Sequence, residues 1–207
     1  MGQDHTNAAQ ATSAVPPAAA RREEDTAADW TWVDARVWTA PMLAALESGV
    51  KGGRWYSLMD KVWAPQTLQA AWQRVRAANG AHGVDAMSVR RFEQHAERYL
   101  GELSQALAAG RYRPQPLRRV DIPKATGGTR PLGIPTVKDR VVQAALKLVI
   151  EPIFEREFEP TSWGFRPRRG CKDALREVER HLADGRTWVV DADVQACFDS
   201  IDHELLM

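Results

Sequence analysis

Cysteine is almost missing from this chain. Cys171 and Cys197 are the two cysteines in 207 residues, and their spacing matches no metal-ligand pattern. Neither a disulfide scaffold nor a zinc module is therefore expected. The five histidines are scattered and add no metal constellation. No stretch approaches the roughly eighteen uninterrupted apolar residues of a membrane span. The N-terminus also lacks the basic region and apolar core of a secretion signal, so a cytoplasmic location is expected. Charge of one sign is lacking overall, with a net charge of +1.

That average conceals a gradient. Residues 1–30 carry two arginines against five carboxylates, a net of −3. Between Arg111 and Lys147 nine Lys and Arg face two Asp, a net of +7. The middle of the chain is therefore the candidate polyanion surface. Residues 1–29 have almost no large apolar side chain and cannot bury enough surface to offset the entropy of ordering, so a disordered tail is expected there. From Trp30 the texture changes. Trp30, Trp32, Trp38, Trp55 and Trp63 arrive in quick succession, suited to packing first and to base stacking second.

Helix signals follow. Pro65 suits a first helical position, Leu68, Ala71, Trp72 and Val75 share a face, and Asn79-Gly80 ends the segment. Ser88 is placed to cap a second helix with a Phe92, Tyr99, Leu100, Leu103 and Leu107 stripe, closed by Gly110. Arg118–Ile122 and Arg130–Ile134 read as a hairpin around Gly127-Gly128, with basic flanks. Thr136, with Asp139 three residues on, caps a further helix. Its face of Val141, Val142, Ala145, Leu146, Val149, Ile153 and Phe154 predicts deep burial, and Pro152 predicts a kink or break. A third helix over 172–183 is expected to bury Leu175, Val178 and Leu182. Residues 187–194 read as a strand with Val190 and Val194 on one face and Asp191 and Asp193 on the other.

An aspartate at a strand end either caps and solvates locally or offers carboxylate oxygens to a hard divalent cation. Here Asp193 is followed five residues later by Phe198, and Asp202 is a natural N-cap for the closing "HELLM". The blocks "IPKATGGTRPLGIPTVKDRVVQAAL", "SWGFRPRRGCKDAL" and "VVDADVQACFDSIDHELL" occur in this order. They resemble consecutive blocks of the group II intron reverse transcriptase and maturase family, and "GVDAMS" and "RYRPQPLRRVDIPK" resemble its N-terminal block and the entry to its fingers. The likeness covers roughly residues 50–207.

The resemblance implies an α+β fold: a helix-rich fingers region with a β-hairpin, then the first strand of a palm. The implied organisation is a tail over 1–29, a Trp-rich extension over 30–59, fingers over 60–186 and the start of the palm over 187–207. It implies Asp193 as the first catalytic aspartate, ligating Mg²⁺ with the Val194 carbonyl beside it, and Phe198 as the aromatic under the nucleotide sugar. Lys124 and Arg130 correspond to fingers residues that grip the triphosphate. Arg118, Arg119, Gly164, Phe165 and Arg166 correspond to template and RNA contacts. The implied partners are an intron RNA template, a DNA primer and deoxynucleoside triphosphates. The family's aromatic-Ala-Asp-Asp block has no counterpart, since the string "YADD" does not occur. The expectation is thus a fragment that is inactive as a polymerase by itself, with exposed apolar surface. A non-catalytic RNA-binding, splicing-assisting remnant and a decayed reading frame stand as alternatives.

Overall fold

The computed structural model describes residues 30–49, 57–125, 127–195, 197, 198 and 200–206. The predicted tail, Trp55 and Asp199 lie outside the described residues. The elements run α1 (Ala40–Ser48), α2 (Leu58–Trp63), α3 (Pro65–Ala78), α4 (Val89–Glu93), α5 (Ala96–Ala108), β1 (Arg118–Pro123), β2 (Thr129–Ile134), α6 (Val137–Glu157), α7 (Cys171–Ala183) and α8 (His203–Leu206). The expected helix-rich α+β architecture with one hairpin is what forms.

Pro65 starts α3 at its first position, and Asn79, in the left-handed region at φ 42°, ends it. The face that α3 buries is Leu68, Ala70, Ala71, Trp72 and Val75, set against the Val137, Val141, Val142, Ala145, Leu148 and Val149 face of α6. Trp38, Leu46, Val62, Phe92, Leu100 and Leu103 complete the core. The tryptophans that arrive early in the chain mostly pack: Trp38 and Trp72 are buried, and Trp30 and Trp63 lie against the core.

Four sequence expectations are corrected. Ser88 does cap, its Oγ accepting from Arg91 N at 3.1 Å, but the segment behind it is two helices rather than one. His95 sits at φ −133°, outside helical geometry, and starts α5 afresh. The break lets Phe92 stack between Trp72 and Tyr99, with ring centroids 4.6 and 5.0 Å away. In α6, Leu146 and Phe154 face outward, where with Ile150 they form an exposed stripe at four-residue spacing. In α7, Leu175, Val178 and Leu182 are exposed, and no residue of that helix is buried. Residues 187–194 form no strand. A strand exists only as a hydrogen-bonded ladder, and the sheet of the described residues consists of β1 and β2 alone.

Pro152 neither ends α6 nor leaves its turn unsatisfied, and the reason lies far away in sequence. A helix-interior proline removes the hydrogen bond to the carbonyl four residues earlier, here that of Leu148. The indole Nε1 of Trp38 donates to that carbonyl at 3.2 Å, inside the core. Trp38 thus restores the acceptor that Pro152 orphans, and both side chains are fully buried. Trp38→Phe keeps most of the aromatic volume and leaves the Leu148 carbonyl bare. The expected loss is about 1–3 kcal/mol of unfolding free energy. Trp38→Phe in a Pro152→Ala background should cost clearly less, which denaturant unfolding of the four proteins would measure.

Candidate nucleic-acid interface

The hairpin pairs Arg118 with Ile134, Val120 with Leu132 and Ile122 with Arg130. Gly127 and Gly128, at φ 91° and 77°, supply the left-handed turn that L side chains rarely adopt. Lys124 N donates to Gly128 O at 3.0 Å and closes that turn. Lys124 and Arg130 flank it, both exposed, and among the described residues neither side chain makes a hydrogen bond or ion pair. Arg119 leans on Asp121 at 3.3 Å across open solvent. Arg118 turns back instead, its Nε donating to His82 O at 2.9 Å.

That contact clamps the loop 79–88 from one side. Arg140 of α6 clamps it from the other, donating from Nη2 to Ala81 O at 2.8 Å. Between them Gly83 lies so close to the chain that a Cβ there would sit 2.7 Å from backbone atoms of Thr136. A glycine in this loop is a packing requirement. The loop therefore couples the hairpin to the first turn of α6.

That first turn is held by a buried polar node. Asp139, 3% exposed, accepts from Thr136 Oγ1 at 2.6 Å, from the Tyr112 hydroxyl, and from Gln115 N at 3.3 and 3.4 Å. Asp139 N in turn donates to Thr136 Oγ1 at 3.2 Å, the N-cap expected from sequence. Burial, with the neighbouring Asp139 carboxylate, pushes the Tyr112 phenol above its ordinary range. Tyr112 and Gln115 enter β1 from this node, so the hairpin emerges from a fixed base.

The loop between α6 and α7 is organised by Arg166. Its side chain is only 6% exposed and pairs with Glu155 through Nε and Nη2 at 2.7–3.1 Å. Its Nη1 donates to Glu159 O at 2.7 Å and Ser162 O at 2.9 Å, and the guanidinium lies over the Phe158 ring. The structure directs Arg166 inward, where it is the strut of the loop. Around it, Gly164 is open and Phe165, in the left-handed region at φ 58°, projects fully into solvent. A bulky residue at positive φ costs about 1–3 kcal/mol and persists only where its surroundings hold it. Arg168, also at φ 58°, reaches Thr31 at 3.3 Å and ties this loop to the Trp-rich segment.

The C-terminal segment stands apart. Asp193, Val194 and Phe198 are exposed, and no hydrogen bond or ion pair among the described residues joins them to the hairpin or to the Arg166 loop. Asp202 does cap α8, accepting from Glu204 N at 2.8 Å and Leu205 N at 3.2 Å. Among the described residues no three His, Cys, Asp or Glu side chains converge to hold a metal ion. A lone exposed carboxylate does not make a metal centre. Lys124 and Arg130 thus come together at one tip, while Asp193 and Phe198 are not brought to them. Sequence reading missed Glu155, Arg140 and Tyr112. A pairing 11 or 27 residues away has no local signature.

Residues 122–207 match the family model for reverse transcriptase (RNA-dependent DNA polymerase). Protein YkfC of Escherichia coli K12 is 40% identical over 156 residues, 72% of this chain and 41% of YkfC. The group II intron-encoded protein LtrA of Lactococcus lactis is 42% identical over 113 residues, 54% of this chain and 19% of LtrA. The putative COX1/OXI3 intron 1 protein of Saccharomyces cerevisiae is 37% identical over 109 residues, 53% of this chain and 13% of that protein. The chain spans less than half the length of these relatives. No helix among the described residues is long and apolar enough to cross a membrane.

Proposed function

We propose, from the premise that residues 122–207 belong to the reverse transcriptase family and that the chain is related to group II intron-encoded proteins, that it supplies the fingers and first-aspartate segment of an RNA-directed DNA polymerase. One observation carries this reading beyond family membership. Lys124 and Arg130 stand exposed and without partners among the described residues, at a turn whose base is rigidly held. A lysine point charge and a guanidinium fork so placed suit the phosphates of an incoming deoxynucleoside triphosphate.

Residues 60–186 act as the fingers on this reading, 187–207 begin the palm, and 30–59 form a Trp-rich extension whose Trp38 and Leu46 contact α6. Phe165, Gly164 and Arg119 meet the RNA template. Arg118 and Arg166 serve it indirectly, as the ties that hold the loop 79–88 and the loop after α6. Asp193, with the Val194 carbonyl beside it, contributes to a Mg²⁺ site of the family type, and Phe198 lies under the nucleotide sugar. These ligands do not complete a metal centre by themselves, so the chain alone does not polymerise. The working location is cytoplasmic, with intron RNA and a DNA primer as partners.

Primer extension on an RNA template by the purified chain should give no product. Mg²⁺-dependent extension that Asp193→Ala abolishes would overturn that part of the reading. RNA binding should weaken in Lys124→Gln/Arg130→Gln, with the salt slope reduced by roughly 0.7–0.9 per lost phosphate contact. Unchanged affinity and slope would remove the hairpin from the phosphate grip. The lone Asp193 also favours a second reading, a non-catalytic RNA-binding and splicing-assisting role. It predicts binding that survives Asp193→Ala and intron splicing that responds to added protein.

A further inference from the structure

A second cationic feature is built from residues of α3 and α6 rather than from the hairpin, the loop after α6 or the C-terminal segment. Between α3 and α6 runs a cleft of about 370 Å³ lined by Arg74, Arg140, Gln143 and Lys147 and by the apolar Val75, Ala78 and Ala144. Among the described residues no carboxylate lines it. Three cations among apolar residues without an acid in that lining form a surface short of negative charge.

Arg140 makes the shortage specific. One of its guanidinium nitrogens is committed to Ala81 O, and Nη1 lies against Gly80, where a Cβ would approach to 2.5 Å. Its Nε is enclosed and has no hydrogen-bond partner. Burial weakens the hold of this guanidinium on its proton, and Asp85 offsets the effect only in part. A partly desolvated guanidinium is stabilised by an anion brought close to it, even where Nε itself stays enclosed. The neighbouring carboxylates offset these charges from outside the described lining. Asp34, the carboxylate that feels Arg74, is engaged by Arg36 at 2.7 Å. Lys147, itself in the lining, pairs with Glu151 at 3.3 Å, and Glu151 is not among the described lining residues.

We infer that the α3–α6 cleft is a phosphate-binding site, distinct from the hairpin tip, in which Arg74, Arg140 and Lys147 receive the anion and Gln143 offers its amide. Guanidinium forks match phosphate oxygens bidentately, and the apolar lining suits the sugar or base that a phosphate carries. The phosphate comes from the backbone of structured RNA or from a free nucleotide. The first source rests on the nucleic-acid reading above and the second does not.

The whole chain is the reagent for the test. Backbone amide resonances of Arg140, Gln143 and Ala144 are followed by NMR during titration with inorganic phosphate, with a mononucleotide and with a short RNA hairpin, at one fixed ionic strength. Saturable shifts at these amides are expected. Arg74→Gln/Lys147→Gln, on exposed side chains and so safe for folding, should weaken them about fivefold to tenfold. Shifts with RNA as well as phosphate assign the site to the RNA backbone, and shifts with phosphate and mononucleotide alone assign it to a small anion. Both outcomes support the inference. Absence of shifts with all three probes, or titrations identical in the double variant, overturns it. If RNA affinity falls in Lys124→Gln/Arg130→Gln but is unchanged here and phosphate is inert, this site fails while the polymerase reading stands. If RNA affinity falls only in Arg74→Gln/Lys147→Gln, the site stands and the hairpin grip fails.

Discussion

Replacing Asp139 with alanine is expected to lower the unfolding free energy by at least about 3 kcal/mol, a large fraction of the total for a domain of this size. The magnitude follows from what is left behind. Thr136 Oγ1, the Tyr112 hydroxyl and Gln115 N all donate to this carboxylate, which is 3% exposed. Thr136 is buried, Tyr112 half-buried and Gln115 exposed as a residue; a buried donor stripped of its acceptor costs about 1–3 kcal/mol, and a donor that water can reach costs less. Asp139 also places negative charge at the N-terminus of α6, a smaller favourable term of about 0.3–1 kcal/mol. Tyr112→Phe removes one donor and leaves the carboxylate with its others, so it should cost far less, about 1 kcal/mol. Thermal or denaturant unfolding of the two variants checks the order. Equal losses would mean that the Tyr112 hydroxyl bond carries the node and that the Thr136 and Gln115 bonds contribute little.

Removing the counter-charge of Arg166 is the second large effect. Glu155→Ala should destabilise the loop after α6 by about 3–5 kcal/mol, because the guanidinium it neutralises is 6% exposed and would remain buried and unpaired. The damage should be local. Hydrogen exchange should accelerate across residues 158–170, while the α3–α6 core, which shares none of these contacts, keeps its protection. The positive-φ backbone at Phe165 depends on this strut, so the fixed projection of Phe165 should be lost with it. Glu155→Met with Arg166→Met removes both charges and should restore part of the stability, since an apolar pair of similar volume needs no partner. Loss of core protection in Glu155→Ala, or a double variant worse than the single, would show that the pair supports the whole fold.

These two nodes differ in how much of them can be read from sequence. Thr136 three residues before Asp139 is a local signature, and the cap it announces forms. That Asp139 would also collect Tyr112 and Gln115 is not announced, because those groups reach it through the path of the chain before β1. The same contrast holds in α6. Proline in an apolar helix predicts a kink or break; no break occurs, and an indole from 110 residues away donates to the Leu148 O that Pro152 leaves without its helical donor.

Local order and family were written in the sequence. The caps at Ser88, Thr136 and Asp202, the helix start at Pro65 and the Gly127-Gly128 turn all depend on neighbours within a few residues. The ordered blocks around Lys124, Arg130 and Asp193 point to a reverse transcriptase relative for the same reason, since a motif is a local string. The tertiary structure decided the rest: which arginines face solvent and which become struts, why Pro152 is tolerated, and that residues 187–194 do not become a strand among the described residues. Each of those outcomes turns on whether a distant donor, carboxylate or paired strand arrives at the site, and no short window of sequence contains that partner.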